Sequence, residues 1–185
     1  MASDATVDVP DADTAAERKD AVASIAGQIR YLSSGDRAQL RRIYLTGRHE
    51  ADGIVIGLMH GAGLTAPGAP AAFAPWRLLA HCAALLSGTG AKQSHATGRR
   101  LGSALQAIGL SENRLLRLLS AQGAGLQSQV TRVFRMLAQR GDGPVNLRTL
   151  FDLVGADPDR AEAARLQIAR DYYAATAAAD KGDVE

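Results

Sequence analysis

Aromatic side chains are scarce in this chain, at 4% of 185 residues, and only one of them is a tryptophan. A core built with so few rings must rest on Leu, Ala, Ile and Val, a composition that favours helices. The same scarcity excludes base stacking as a main source of affinity for a nucleic acid. Cysteine is reduced to Cys82, which excludes an internal disulfide framework and fits a reducing cytoplasm. The longest apolar runs, Ile54 to Met59 and Leu78 to Leu86, fall well short of the roughly 20 residues that span a bilayer. Met1 to Pro10 has no apolar segment of the kind a signal peptide carries. No stretch alternates with period two for long enough to be a strand. These absences predict a soluble, cytoplasmic, all-α protein.

Acidic side chains are missing from one place in particular. Between Trp76 and Arg148 only Glu112 and Asp142 are acidic, against Arg77, Lys92, Arg99, Arg100, Arg114, Arg117, Arg132, Arg135, Arg140 and Arg148. That segment is +8 in a chain whose formal total is +2. The acids gather at the ends: residues 1–20 sum to −4 and residues 180–185 to −2. Helix faces exposed to water usually mix signs. A one-signed surface on a helical scaffold points to a polyanionic partner.

Apolar spacing divides the chain. Residues 1–13 lack periodicity and read as a disordered acidic tail. Thr14 and Glu17 have capping-box spacing ahead of Val22, Ile25, Ile29 and Leu32. Asp36 restarts a short helix, and residues 50–64 hold a third. Pro75 suits the first turn of a helix carrying Leu78, Leu79, Cys82, Leu85 and Leu86. Ser87-Gly88-Thr89-Gly90 is the best internal boundary, dividing an N-terminal lobe (14–90) from a C-terminal one (91–179). Beyond it the spacing predicts helices over 96–109 and from Ser111. Gly123 to Gly125 reads as a break before the Val130, Val133, Phe134, Leu137 stripe, and Asn146 as the cap of a short helix. Asp157-Pro158 starts the last helix, and 180–185 form a second acidic tail. The expected fold is therefore two small helical bundles packed together.

At 100° per residue, Arg132 and Arg135 lie opposite the Val130/Leu137 stripe, with Ser128 and Gln139 beside them. On the 96–109 helix Arg99, Ser103 and Gln106 face away from Leu101, Leu105 and Ile108. Arg114 and Arg117 are three residues apart on the next helix. Arginine mixed with short polar donors suits phosphate oxygens. Contact to a phosphate backbone is insensitive to sequence and sensitive to salt.

Chemistry finds no comparable constellation, and no catalytic residue, metal or cofactor is expected. His49, His60, His81 and His95 lack metal-ligand spacing, and His49-Glu50 has no second histidine four residues on. Cys82 and His81 are neighbours on a helix and point about 100° apart, which excludes a nucleophile–base pair by adjacency; Cys82 reads as core. Gly88 to Ser94 lacks both the Gly-Lys-Ser/Thr ending and the preceding strand of a phosphate loop. Asp152, Asp157, Asp159 and Glu162 read as caps and a first-turn acidic set, which leaves a hydrolase or nuclease without clustered carboxylates. Tyr44, Trp76, Tyr172 and Tyr173 read as packing residues.

Two blocks carry a resemblance. His95-Ala96-Thr97-Gly98-Arg99-Arg100-Leu101-Gly102-Ser103-Ala104-Leu105, followed by Ser111-Glu112-Asn113-Arg114-Leu115-Leu116-Arg117-Leu118-Leu119, resembles the CasB family, the small subunit of the type I-E CRISPR Cascade complex. Gly35 to Arg42 looks like its N-terminal signature and Ile168-Ala169-Arg170-Asp171-Tyr172-Tyr173 like its C-terminal one, although Ile168 stands where tryptophan is expected. The resemblance covers roughly residues 20–175. It implies a noncatalytic, two-lobed helical subunit present in two copies, contacting the backbone and large subunits of the complex. It also implies contact with guide RNA and target DNA as the R-loop opens. By resemblance Arg41, Arg42, Arg99, Arg100, Arg114 and Arg117 fall inside matching blocks, while Arg132 and Arg135 rest on helix geometry. The alternative is an architectural subunit whose basic surface docks acidic protein partners.

Overall fold

The computed structural model describes residues 12–45, 50–88, 93–140 and 143–182, with side chains from residue 21 to residue 180. Nine helices and no strand are found among the described residues, an all-α fold. They are α1 (Ala12–Ile29), α2 (Ser34–Arg42), α3 (Asp52–Gly61), α4 (Pro70–Ser87), α5 (Leu101–Ala107), α6 (Glu112–Ser120), α7 (Gly123–Arg140), α8 (Leu147–Val154) and α9 (Pro158–Gly182). Most of the expected tail 1–13, residues 89–92 of the expected boundary and residues 183–185 lie outside the described residues. α1 already includes Ala12 and Asp13, and α9 continues through Gly182.

α4 is the central helix because nearly all of its last three turns is apolar or small: from Leu78 to Ser87 only Leu85 is not fully buried. It packs against α1, α2, α3, α7 and α8. α1 also touches α8, and the buried apolar residues from Ala21 to Tyr172 form one cluster. Cys82 sits in that cluster with no exposed surface, as its place on the apolar stripe predicts.

Thr14, expected to cap the first helix, lies inside α1, which starts at Ala12, and three further boundaries differ from the sequence expectation. α4 starts at Pro70, and Pro75 lies inside the helix instead of in its first turn. Pro70 takes the position where a missing N–H costs nothing, and the helix formers Ala71, Ala72 and Ala74 carry the helix through Pro75 at the loss of one backbone bond. α7 starts at Gly123 itself, not after a glycine break. A φ of +50° at Gly123 turns the chain out of α6, and the helical bonds begin at once with Leu126 N–H to Gln122 O at 3.1 Å; glycine reaches that φ without strain.

The third difference moves a candidate residue. The 96–109 helix is only α5, because the backbone ahead of it is engaged elsewhere. Ala96 N–H donates to Val145 O at 3.1 Å and Val145 N–H to Ser94 O at 3.2 Å, an isolated parallel bridge between His95 and Val145. Arg99 O then accepts from Asn146 N–H at 2.8 Å. Arg99 therefore sits in a loop, and Arg100 is the residue that precedes α5. Below it, Gly102 lets α5 press on α9, where a β-carbon would lie 2.1 Å from Ile168 O.

Candidate nucleic-acid interface

The amphipathic character of α6 and α7 aims four arginines outward. On α6 the buried residues are Leu115 and Leu118, which leaves Arg114 and Arg117 exposed. On α7 Leu126, Val130, Val133, Phe134 and Leu137 are buried, Arg132 is exposed and Arg135 is half-buried. Arg114 reaches across to α7, its Nη1 lying 4.0 Å from the sulfur of Met136, the residue after Arg135. Arg114 therefore stands at the turn of α7 that carries Arg132 and Arg135, and Arg117 lies three residues further along α6; these four make up the arginine face of α6 and α7. No acid occurs on α7, and Glu112 of α6 is turned to α9, where it accepts from the Tyr173 hydroxyl at 2.7 Å. None of the four arginines has an acidic partner among the described residues.

The other four candidates lie elsewhere. On α2, Arg41 turns inward and donates to Gly88 O at 2.8 Å, closing the end of α4, while Arg42 is exposed and its Nε donates to Ala38 O at 3.2 Å. Arg99 lies beside Gly143, where a β-carbon would stand 3.2 Å from its guanidinium. Arg100 pairs at 3.0 Å with Asp171, a carboxylate only 4% exposed that also accepts from Gln167 at 2.9 Å. Arg140, exposed at the end of α7, lies off the arginine face, about 140° around the helix from Arg135. It stands about 80° from Arg132 around the helix, in the last turn, where the helix dipole favours a cation.

Two buried histidines brace the helices. His81 Nδ1 donates to Leu40 O at 2.8 Å and locks α2 onto α4. Burial lowers its pKa, the bond to Leu40 opposes that shift, and the charge of Arg135 adds to it. His95 Nδ1 accepts from Leu147 N–H at 3.1 Å and so caps the start of α8 beside Asn146, whose side chain accepts from Arg148 N–H at 3.1 Å. Burial lowers the pKa of His95 as well, helped by the charge of Arg148. Both imidazoles are thus held neutral in structural roles. No group of three or more His, Cys, Asp or Glu that could hold a metal is found among the described residues. No described helix is long and apolar enough to cross a membrane.

Among known families, the model for CRISPR-associated protein Cse2 matches residues 36–173. No curated protein and no solved structure matches the chain. The matched span opens within α2, runs through the whole arginine face and closes at Tyr173, the α9 residue that holds Glu112 away from it. The chain belongs to the Cse2 family, the CasB family of the type I-E CRISPR Cascade complex.

Proposed function

We propose that this Cascade subunit is noncatalytic and holds nucleic-acid backbone, stabilising the R-loop while target DNA is recognised. The observation that carries the reading is the face of Arg114, Arg117, Arg132 and Arg135, exposed or half-exposed and without acidic partners among the described residues. Guanidinium groups of this kind take phosphate oxygens. Exchange of a DNA duplex for an RNA–DNA hybrid is nearly balanced in free energy, so a few protein–phosphate contacts tip it. Four contacts to duplex DNA give a log–log salt slope of about −3.6, and to a single strand roughly −2.8. Base-reading aromatics play no part in this face, so binding to it is sequence-blind, with the guide RNA supplying the sequence. Guide RNA, target DNA, the backbone and large subunits and a second copy of this chain are its expected neighbours in the complex.

A second reading is architectural, with the basic face docking acidic protein partners. The exposed apolar side chains Leu116, Leu166 and Tyr173 favour some protein contact. Reversing charge at Arg132 and Arg135 to Glu in the assembled complex separates the two. Loss of tight, salt-sensitive target binding with the complex intact supports backbone holding. Loss of assembly, or unchanged DNA capture, supports the architectural role.

A further inference from the structure

The arginine face lacks a counter-charge, and the first residues of the chain carry one in excess. Arg114, Arg117, Arg132 and Arg135 have no acidic partner among the described residues, α7 bears no acid, and Glu112 is held away by the Tyr173 hydroxyl. Residues 1–11 hold Asp4, Asp8 and Asp11 and no basic side chain, a charge of −3. The start of α7 and the first described side chains of α1 flank one turn of the fold. Val22 of α1 shares a cavity wall with Pro75, Gly155 and Ala156, and Leu126 of α7 shares the neighbouring groove with the same three. Asp4 stands eight residues ahead of Ala12, where α1 begins, and so reaches about 26 Å from it when extended. A compact chain of 185 residues has a radius of gyration of only about 16 Å. The acids at the other end of the chain are less free to follow the face, because α9 stays helical through Gly182 and fixes Asp180 on the helix, about 10 Å along from Tyr173.

An exposed guanidinium–carboxylate pair is weak and is screened by salt. Three carboxylates on one tethered segment gain from the tether, which holds them near the face at an effective concentration on the order of millimolar. A strand that neutralises four arginines together still displaces them. We propose that residues 1–11 lie on the arginine face of their own chain, and that a nucleic-acid strand has to displace them to occupy it. The segment is then a built-in competitor. It turns away weakly held polyanions and yields to a strand presented by the assembled complex. The inference rests on the nucleic-acid reading above, which supplies the displacing strand, and adds a threshold set by Asp4, Asp8 and Asp11.

Cys82 is the only cysteine of the chain and has no exposed surface, so Ser3→Cys supplies a single accessible thiol for a nitroxide spin label. Broadening of backbone amide signals in the full chain maps where the label rests. At about 50 mM salt the broadening should concentrate on α6 and α7, around Arg114, Arg117, Arg132 and Arg135. It should fade at about 500 mM salt, on addition of a single-stranded oligonucleotide, and in Asp4→Asn/Asp8→Asn/Asp11→Asn. At the low salt that triple variant should bind the oligonucleotide about threefold more tightly, the gain when a face about two-thirds covered becomes free. Asp180→Asn/Asp183→Asn/Glu185→Gln removes the same charge and should leave the affinity as it is. Uniform broadening, broadening centred on another surface, or an equal gain from the two triple variants overturns the proposal. Broadening that passes from a spin-labelled chain to an isotope-labelled second chain places the segment on a neighbouring copy and overturns it too. The backbone-holding reading fails separately. It falls if Arg132→Glu/Arg135→Glu leaves target capture unchanged, and it stands if that pair abolishes capture while the label never approaches α6 or α7.

Discussion

His95 shows how one side chain fixes a local structure whose logic spans half the chain. Its bare Nδ1 receives Leu147 N–H, 52 residues away, and a proton on that nitrogen would remove the acceptor and set a positive charge at a helix start. A histidine held neutral has a folded pKa below its unfolded value near 6.5. Its contribution is complete above that unfolded value and is lost as the pH falls from there through the folded pKa. His81 acts in the same direction. The melting temperature should therefore hold above about pH 6.5 and drop between there and about pH 5, before carboxylates titrate. His95→Gln, which keeps an uncharged acceptor, should flatten that drop. A wild-type melting temperature constant over this window would remove the capping role. The sequence showed His95 inside a family block but not this role, because a cap supplied from 52 residues away leaves no local spacing to read.

At the scale of the helix, α5 and α9 meet through Gly102 more closely than side chains allow. The 2.1 Å from a β-carbon to Ile168 O and 2.8 Å to Tyr172 N leave backbone, not a flexible tip, to give way. Gly102→Ala should cost about 3 kcal/mol, the upper end of overpacking, read as a lowered urea midpoint, although alanine is the better helix former. A neutral or stabilising result would mean that the two helices separate freely. Helix periodicity was legible in the sequence wherever an apolar stripe faced the core, as in α6 and α7. It misled where backbone groups had a competing partner, as at Ser94 to Ala96, which pair with Val145, and where strong neighbours carried a proline, as in α4. Arginine roles were the least legible. Arg41 closes α4 at Gly88, 47 residues on, Arg165 donates to Leu119 O at the end of α6, 46 residues back, and Arg100 meets Asp171, 71 residues on. A count of charge along the chain treats these like Arg132, because the deciding partner comes from another helix.

Across the whole molecule, that division predicts two classes of arginine variant. Arg132→Gln should reduce the salt slope of DNA binding by about 0.9 and leave stability unchanged. Arg41→Gln should leave the slope in place and lower stability by about 1 kcal/mol. Slopes from binding at several salt concentrations, set beside urea midpoints, check both; equal effects of the two variants on the slope would erase the distinction. The cap arginines have one more consequence. Arg37 donates to Arg30 O and Leu32 O, and Arg41 to Gly88 O. These acceptors are neutral carbonyls, so the bonds hold helix ends without cancelling any charge. Arg100, closed on the Asp171 carboxylate, surrenders part of its field; Arg37 and Arg41, closed on carbonyls, keep theirs. Arginines that never touch a phosphate can still draw a strand toward the surface, and their contribution belongs in the rate of encounter at low ionic strength, not in the strength of the final complex.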